Sequence, residues 1–521
     1  MRKILCVLLA LCACVSALAG CSIETGDPFV PSGDGLTWDD GHIGAATDET
    51  QAPSMQELTL TYFPEKTMNP YFSTDFTNNA LFSLLYQGLF TVDSNYNVEP
   101  VLCSRYTISP SMLTYTFYIE ENATFSDGSR VRPEDVLASL ITARTCQIYS
   151  GRFAKVTYIG LNDDGSISME VNTPFENLPI LLDVPILKEE QLNDTRPLGT
   201  GPYKLSEVGS NAQLIRRTNW WCSAPDMLIT APIIRLIKAE DLYHIRDEFQ
   251  FGDLTLVQAE PGSDMYVEYL CDYELWDCEN GMFLYLACNR DSYVFSSPEL
   301  RKALTYAIDR AYLSKEFYRG FASTATLPAS PSSPYYNQSL AGQYEYDPAK
   351  FAQIIAETGR TGWEVTLIVN EDDTLRKRVA DAIAEMLKAG GLTPRVIGYD
   401  SENFRYALVA TEYDLYLGQT ILSPNMDLSP FFAPDGNLSY AGLSDTNVFV
   451  LCQQALENHG NYHTLHYTVM EDGLLCPILF RNYAVYATRG LLTELRPARN
   501  NVFYYSLGKT MEDAYFETDP G

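Results

Sequence analysis

Residues 365–391 read VTLIVNEDDTLRKRVADAIAEMLKAGG. The apolar run from Val365 to Val369 predicts a strand, and Leu375 to Ala389 predicts a helix stopped by Gly390-Gly391. Tyr413 to Leu417 is again a strand. Upstream, Asp347-Pro348 starts a helix that ends at Gly359. Ser297 caps another, with Pro298 at its first position and Leu300, Leu304, Ala307 and Ile308 on its buried face. Helices alternating with strands from about 290 to 475 predict a layered α/β lobe.

The N-terminal half has a different texture, strand-rich with scattered helices. Glu57 to Tyr62 reads as a strand, Asn78 to Gly88 as a short apolar helix closed by glycine, and Leu89 to Val92 as a second strand. Between Leu113 and Ile119 the chain alternates, with Leu113, Tyr115, Phe117 and Ile119 on one face and Thr114, Thr116 and Tyr118 on the other. Pro133 opens a helix whose first turn carries Glu134 and Asp135, suited to the positive end of the helix dipole. Val156 to Leu161 and Ile167 to Val171 form a hairpin around Asp164-Gly165. There is no internal repeat.

At the N-terminus, Arg2 and Lys3 precede an apolar run from Ile4 to Leu18 that ends in Ala19 and Gly20, the layout of an export signal. The run is shorter than the roughly 20 residues a spanning helix needs. Leu18-Ala19-Gly20-Cys21 looks like a bacterial lipobox, which implies cleavage before Cys21 and a diacylglyceryl group on its thiol. An ordinary cleaved secretory signal is the plainer alternative. From Ser22 to about Gln56 the chain is rich in Gly, Pro, Ser, Thr and Asp and has no Lys or Arg, a flexible acidic tether. The remaining residues, about 460, call for at least two lobes.

A net charge of -31 argues against nucleic acid and anionic headgroups as partners, since binding them depends on Lys and Arg clusters. Of the 12 cysteines, Cys6, Cys12, Cys14 and Cys21 fall in the signal and anchor, and some of the others are candidates for bridging outside the cytosol. No C-x-x-C occurs in the body, and G-x-S-x-G, H-E-x-x-H, P-loop and G-x-G-x-x-G motifs are all missing. The expectation is a protein without a catalytic group or cofactor. His459, His463 and His466 have a metal-like spacing if their stretch is helical, but Gly460 and Asn461 interrupt it, so a solvated connection is the preferred reading and no metal is assigned. The 35 Tyr and 24 Phe suit both an ordinary core and a large pocket that stacks against its ligand.

An ordered set of short segments carries a family resemblance. It begins with Met68-Asn69-Pro70-Tyr71, Tyr86-Gln87-Gly88-Leu89-Phe90, Glu99-Pro100-Val101-Leu102, Leu113-Thr114-Tyr115-Thr116-Phe117 and Phe125-Ser126-Asp127-Gly128. Pro133-Glu134-Asp135-Val136, Pro197-Leu198-Gly199-Thr200-Gly201-Pro202-Tyr203, Tyr306-Ala307-Ile308-Asp309-Arg310 and Tyr346-Asp347-Pro348 follow. Together they resemble the family 5 extracellular solute-binding proteins, the oligopeptide, dipeptide and nickel binders of ABC importers. The resemblance implies a two-lobed α/β clamp, the type II, cluster C-like periplasmic-binding-protein fold, with an extra strand-rich subdomain in the first lobe. Its expected division is 1–20 signal peptide, 21–56 tether, 57–285 plus 481–521 lobe I with the subdomain inserted over about 75–195, and 286–480 lobe II. Ligand is then held between lobes, and hinge closure presents the loaded monomer to permease subunits.

The family's cleft regions fall here at Tyr62 to Ser73, Tyr285 to Arg290 and Gly418 to Phe432. They offer Asn69, Tyr71, Tyr285, Asn289, Arg290, Gln419, Thr420, Leu422 and Asp427 as ligand-contact candidates. Arg290 suits a ligand carboxylate, or a salt bridge within the protein. In Gly418-Gln419-Thr420-Ile421-Leu422-Ser423, many peptide binders of the family have a Trp and then an Asp that grips the ligand's α-amino group; Gln419 and Leu422 stand there instead. Either another acid such as Asp427 substitutes, or the cargo is not an ordinary peptide. A sugar, opine or metal chelate, or a signalling or scaffold role for the same lipoprotein fold, is the alternative to oligopeptide capture.

Overall fold

The computed structural model describes residues 58–208, 211–222, 225–262 and 269–516; the export signal, Cys21 and the tether lie outside them. Three sheets organise this part. In the first, Leu58–Tyr62 runs parallel to Ile233–Lys238, and Asn211–Arg216 and Tyr203–Val208 continue antiparallel. All five residues of Leu58–Tyr62 are buried, as a strand covered on both faces requires.

The second sheet is antiparallel, in the order Cys103–Ile108, Thr114–Ile119, Ile167–Val171, Val156–Leu161. Tyr115 and Phe117 point into its core, while Thr114, Thr116 and Tyr118 stay half-exposed on the other face. The helix Pro133–Thr145 packs against it through Val136, Leu140 and Ala143. Asp135, at the third helical position, accepts the backbone N–H of Arg132 at 2.9 Å and so closes the helix start.

The third sheet is the largest. Its order is Leu256–Ala259, Cys476–Thr488, Tyr273–Cys288, Leu415–Ile421, Glu364–Asn370, Thr393–Tyr399, with Ala322–Thr324 paired to Cys476–Thr488. Tyr273–Cys288 and Cys476–Thr488, 16 and 13 residues long, pair antiparallel along most of their length. Their register breaks between Glu279 and Phe283, where Gly281 takes φ +75, a conformation that favours glycine. Beyond the break the first of them gains Leu415–Ile421 as a second partner. A separate core fills that end, with Leu300, Leu304, Val379 and Ile383 from the helices Pro298–Ala307 and Thr374–Ala389 packed among Leu367, Leu417 and Leu479.

The helix expected over Asn78 to Gly88 is instead two single turns, Phe76–Asn79 and Phe82–Leu85. Asn78 explains the break, because its side chain donates to Phe63 O at 3.0 Å and accepts from Phe63 N at 2.9 Å, tying the segment to the end of the first strand. Around His459 the chain makes a 3-10 turn, His459–Asn461, before the helix Tyr462–Glu471. That helix is not a solvated connection: His466 is fully buried and neither ring nitrogen has a hydrogen-bond partner among the described residues. Among those residues no group of three His, Cys, Asp or Glu is placed to hold a metal ion. The eight cysteines of the body are free thiols.

Gly199 and Gly201 have a physical reason to be glycine. A Cβ on Gly199 would lie 1.9 Å from Leu85 O, and one on Gly201 would lie 2.5 Å from Leu84 O. Buried Arg217 holds the same turn from the other side, donating to Thr200 O and Gly201 O at 3.0 and 3.1 Å and to Phe125 O at 2.8 Å.

Candidate ligand-binding cleft

A cavity of about 680 Å³ opens beside the largest sheet. One wall comes from residues between 70 and 92, from 147–152, from Asp183 and Pro185, and from residues between 498 and 505. Facing it are 420–424, at and beyond the end of Leu415–Ile421, together with Asn437. Gln258, Asn280 and Tyr483, from the three strands at one side of the largest sheet, complete the lining. Asn280 sits in the register break, so the cavity lies against the place where the two long strands change partners.

The lining is aromatic and polar together. Tyr483 stacks on Phe76 with centroids 5.9 Å apart and an interplanar angle of 16°. Five lining side chains carry a buried polar atom with no hydrogen-bond partner among the described residues: Ser73 Oγ, Asn79 Oδ1, Gln87 Nε2, Gln258 Oε1 and Arg499 Nε. Such atoms are uncommon in folded proteins, and each left unpaired costs about 1–3 kcal/mol. They belong to side chains around one cavity and mix donors with acceptors, so the lining has polar character beneath its surface as well as at it.

The expected contact residues divide. Thr420 and Leu422 line the cavity. Asn69 is fully buried and spent on backbone groups, with Oδ1 accepting Tyr71 N at 3.0 Å in its own turn and Nδ2 donating to Leu192 O and Asp194 O of a distant segment at 2.9 and 2.8 Å. Tyr71 donates its hydroxyl to Pro185 O at 2.5 Å, and burial raises its pKa. Tyr285 is packed in the core between Phe283 and Phe431. Asn289 donates to Thr411 O and Tyr413 O, both at 2.9 Å. Arg290 lies 3.2 Å from Asp445, Gln419 accepts from Arg481 at 3.3 Å, and Asp427 takes the backbone N–H and hydroxyl of Ser429 at 2.8 and 2.6 Å. None of these seven borders the cavity.

Sequence reasoning missed the charged part of the lining. Arg152 and Asp183 form an ion pair, and Arg499 reaches the other oxygen of Asp183 at 3.6 Å. A signal existed for one of them: Asp183 is the single charged residue in the apolar stretch 178–187. Nothing local marks Arg152 or Arg499.

With this geometry in hand, the likeness to known proteins is informative. The model of the bacterial extracellular solute-binding proteins, family 5, matches residues 97–439. The glutathione-binding protein GsiB of Salmonella typhi is 25% identical over 355 residues, covering 64% of this chain and 68% of the relative. Among solved structures, the putative peptide-binding protein AppA from Clostridium difficile superposes with a TM-score of 0.70 at 15% identity, over 86% of this chain and 98% of that one. The ABC transporter substrate-binding protein CtaP from Listeria monocytogenes gives 0.66 at 19% identity, over 83% and 93%.

Proposed function

The chain belongs to family 5 of the bacterial extracellular solute-binding proteins and has their two-lobed type II α/β clamp, and from that premise we propose that it captures oligopeptides or similar solutes for an ABC importer. The observation that carries this reading is a cavity of about 680 Å³ lined by aromatic and polar side chains, a size within the roughly 300–1,000 Å³ usual for ligand sites. Lobe I takes 57–285 and 481–521, with the subdomain over about 75–195, and lobe II takes 286–480. Closure about the long strands brings 420–424 against the opposite wall, and the loaded monomer docks on permease subunits. Binding free energy alone drives such a device, so no catalytic residue is assigned and the protein is not an enzyme. Cys21 carries the lipid that holds the protein on the outer face of the membrane. The relative whose name states glutathione binding, a tripeptide, favours a peptide cargo.

The test is a thermal-shift screen of the purified chain against mixed peptides of two to ten residues, oligosaccharides and nickel chelates. A ligand at 100 times its Kd adds about 2.7 kcal/mol of stability. A shift with peptides supports the reading, a shift confined to sugars or chelates replaces the cargo, and no shift in any class counts against capture. Fractionating cells that express Cys21→Ala checks the anchor: the variant should leave the membrane fraction.

A further inference from the structure

This inference rests on the capture function just proposed and concerns the charge of the captured molecule. Among the side chains lining the cavity, Arg152, Asp183 and Arg499 are the charged ones. One carboxylate therefore serves two guanidiniums, and the wall carries a net positive charge inside a chain whose formal charge is -31. Arg499 is 3% exposed, its Nε is unpartnered among the described residues, and its contact with Asp183 is 3.6 Å, longer than a hydrogen bond. A desolvated guanidinium held this loosely has most of its hydrogen-bonding capacity unspent. Arg152 is 12% exposed, with its guanidinium carbon 5.0 Å from the ring centroid of Tyr149, which limits where its planar fork can turn.

Another acid, Glu279, interacts with Arg499 from outside the lining. Glu279 accepts Tyr96 OH and Ser330 Oγ at 2.6 Å each; burial raises its pKa, while the charge of Arg499 acts to lower it. A ligand ammonium entering the cavity would find Asp183 already shared by two cations. A ligand carboxylate would find two donors of matching geometry.

We propose that Arg152 and Arg499, flanking Asp183, form a carboxylate-recognition site in the cavity, and that the cargo is selected by a carboxylate rather than by a free amine. The carboxylate can come from a peptide C-terminus or from a small organic acid.

The experiment measures Kd by calorimetry for the whole chain with four probes: a mixed tripeptide library as free acids, the same library as C-terminal amides, the same as N-acetyl acids, and succinate. Free and N-acetyl acids should bind alike and the amides at least tenfold more weakly. Arg152→Gln should bring the acids down to the level of the amides without altering the amides, and Arg152→Lys should recover part of the loss. Binding of succinate alone supports the site with an organic acid as its source. Equal binding of acids and amides, or a tenfold loss on acetylation with none on amidation, overturns the proposal while leaving peptide capture intact. If neither the peptides nor succinate binds, the carboxylate proposal falls; capture itself falls only if the sugars and chelates of the wider screen also fail.

Discussion

Lowering the pH from 7 to 5 should cost this protein about 2 kcal/mol through a single imidazole. His466 is fully buried in the helix Tyr462–Glu471, its ring 5.7 Å from that of Tyr462, and burial lowers its pKa from 6.5 to about 3, with the charge of His463 as a lesser cause. In the unfolded chain the ring takes its proton near 6.5, and in the folded chain only near 3. Between those values the unfolded state binds more protons, so stability falls as the pH falls through this window and is untouched above it. Down to pH 5 that spans about one and a half pH units at about 1.4 kcal/mol each, which gives the figure of about 2 kcal/mol. Urea unfolding of the wild type and of His466→Leu at pH 7 and pH 5 isolates the term, since the other titrating groups are common to both. The variant also removes two unpartnered buried nitrogens, so it should be no less stable at pH 7. The reasoning is refuted if both proteins lose the same free energy between the two pH values.

Two further expectations concern the scaffold and a half-exposed ion pair. Gly199→Ala places a methyl 1.9 Å from Leu85 O and 2.6 Å from the Tyr86 ring, and should lower unfolding stability by about 2–3 kcal/mol. Gly342→Ala, where a Cβ meets nothing within 4 Å, is the control, and equal urea midpoints for the two would remove the close-approach argument. Arg290→Ala breaks a half-exposed pair with Asp445 and should cost under about 1 kcal/mol while leaving peptide affinity unchanged; a tenfold fall in calorimetric affinity would return that guanidinium to the ligand.

The elements were legible where a local rule governs them. Ser297 accepts Leu300 N at 3.3 Å and Asp347 accepts Lys350 N at 3.0 Å, both as the capping residues and the following prolines foretold. The hairpin Val156–Leu161, Ile167–Val171 has the bounds read from the sequence around the Asp164-Gly165 turn. Periodicity fails over Asn78 to Gly88 because a side chain there bonds to a distant backbone, which no spacing rule sees. His466 misled for a related reason: polar flanks argued for solvent, whereas packing of its helix against Tyr335 and Leu456 decided burial.

The cleft shows the same division more sharply. Asn69, Asn289 and Asp427 were attractive because they are polar residues in the family's cleft segments, and each proves to be spent on backbone groups, Asn69 and Asn289 on carbonyls of distant segments and Asp427 on the turn at Ser429. Polar side chains in tight turns satisfy backbone groups first, since an unpaired buried N–H or C=O costs more than a ligand contact returns. The groups left over for a ligand are those not drawn into such bonds, such as Arg499, and only the assembled fold identifies them. It follows that the family's scaffold can persist while the identity of its cargo changes, because the residues that build the turns and those that face the cavity are different sets. On the proposed carboxylate reading, Leu422 in place of an acid and two guanidiniums around Asp183 belong together, because a cleft that grips a ligand's carboxylate has no need of an acid for its amine.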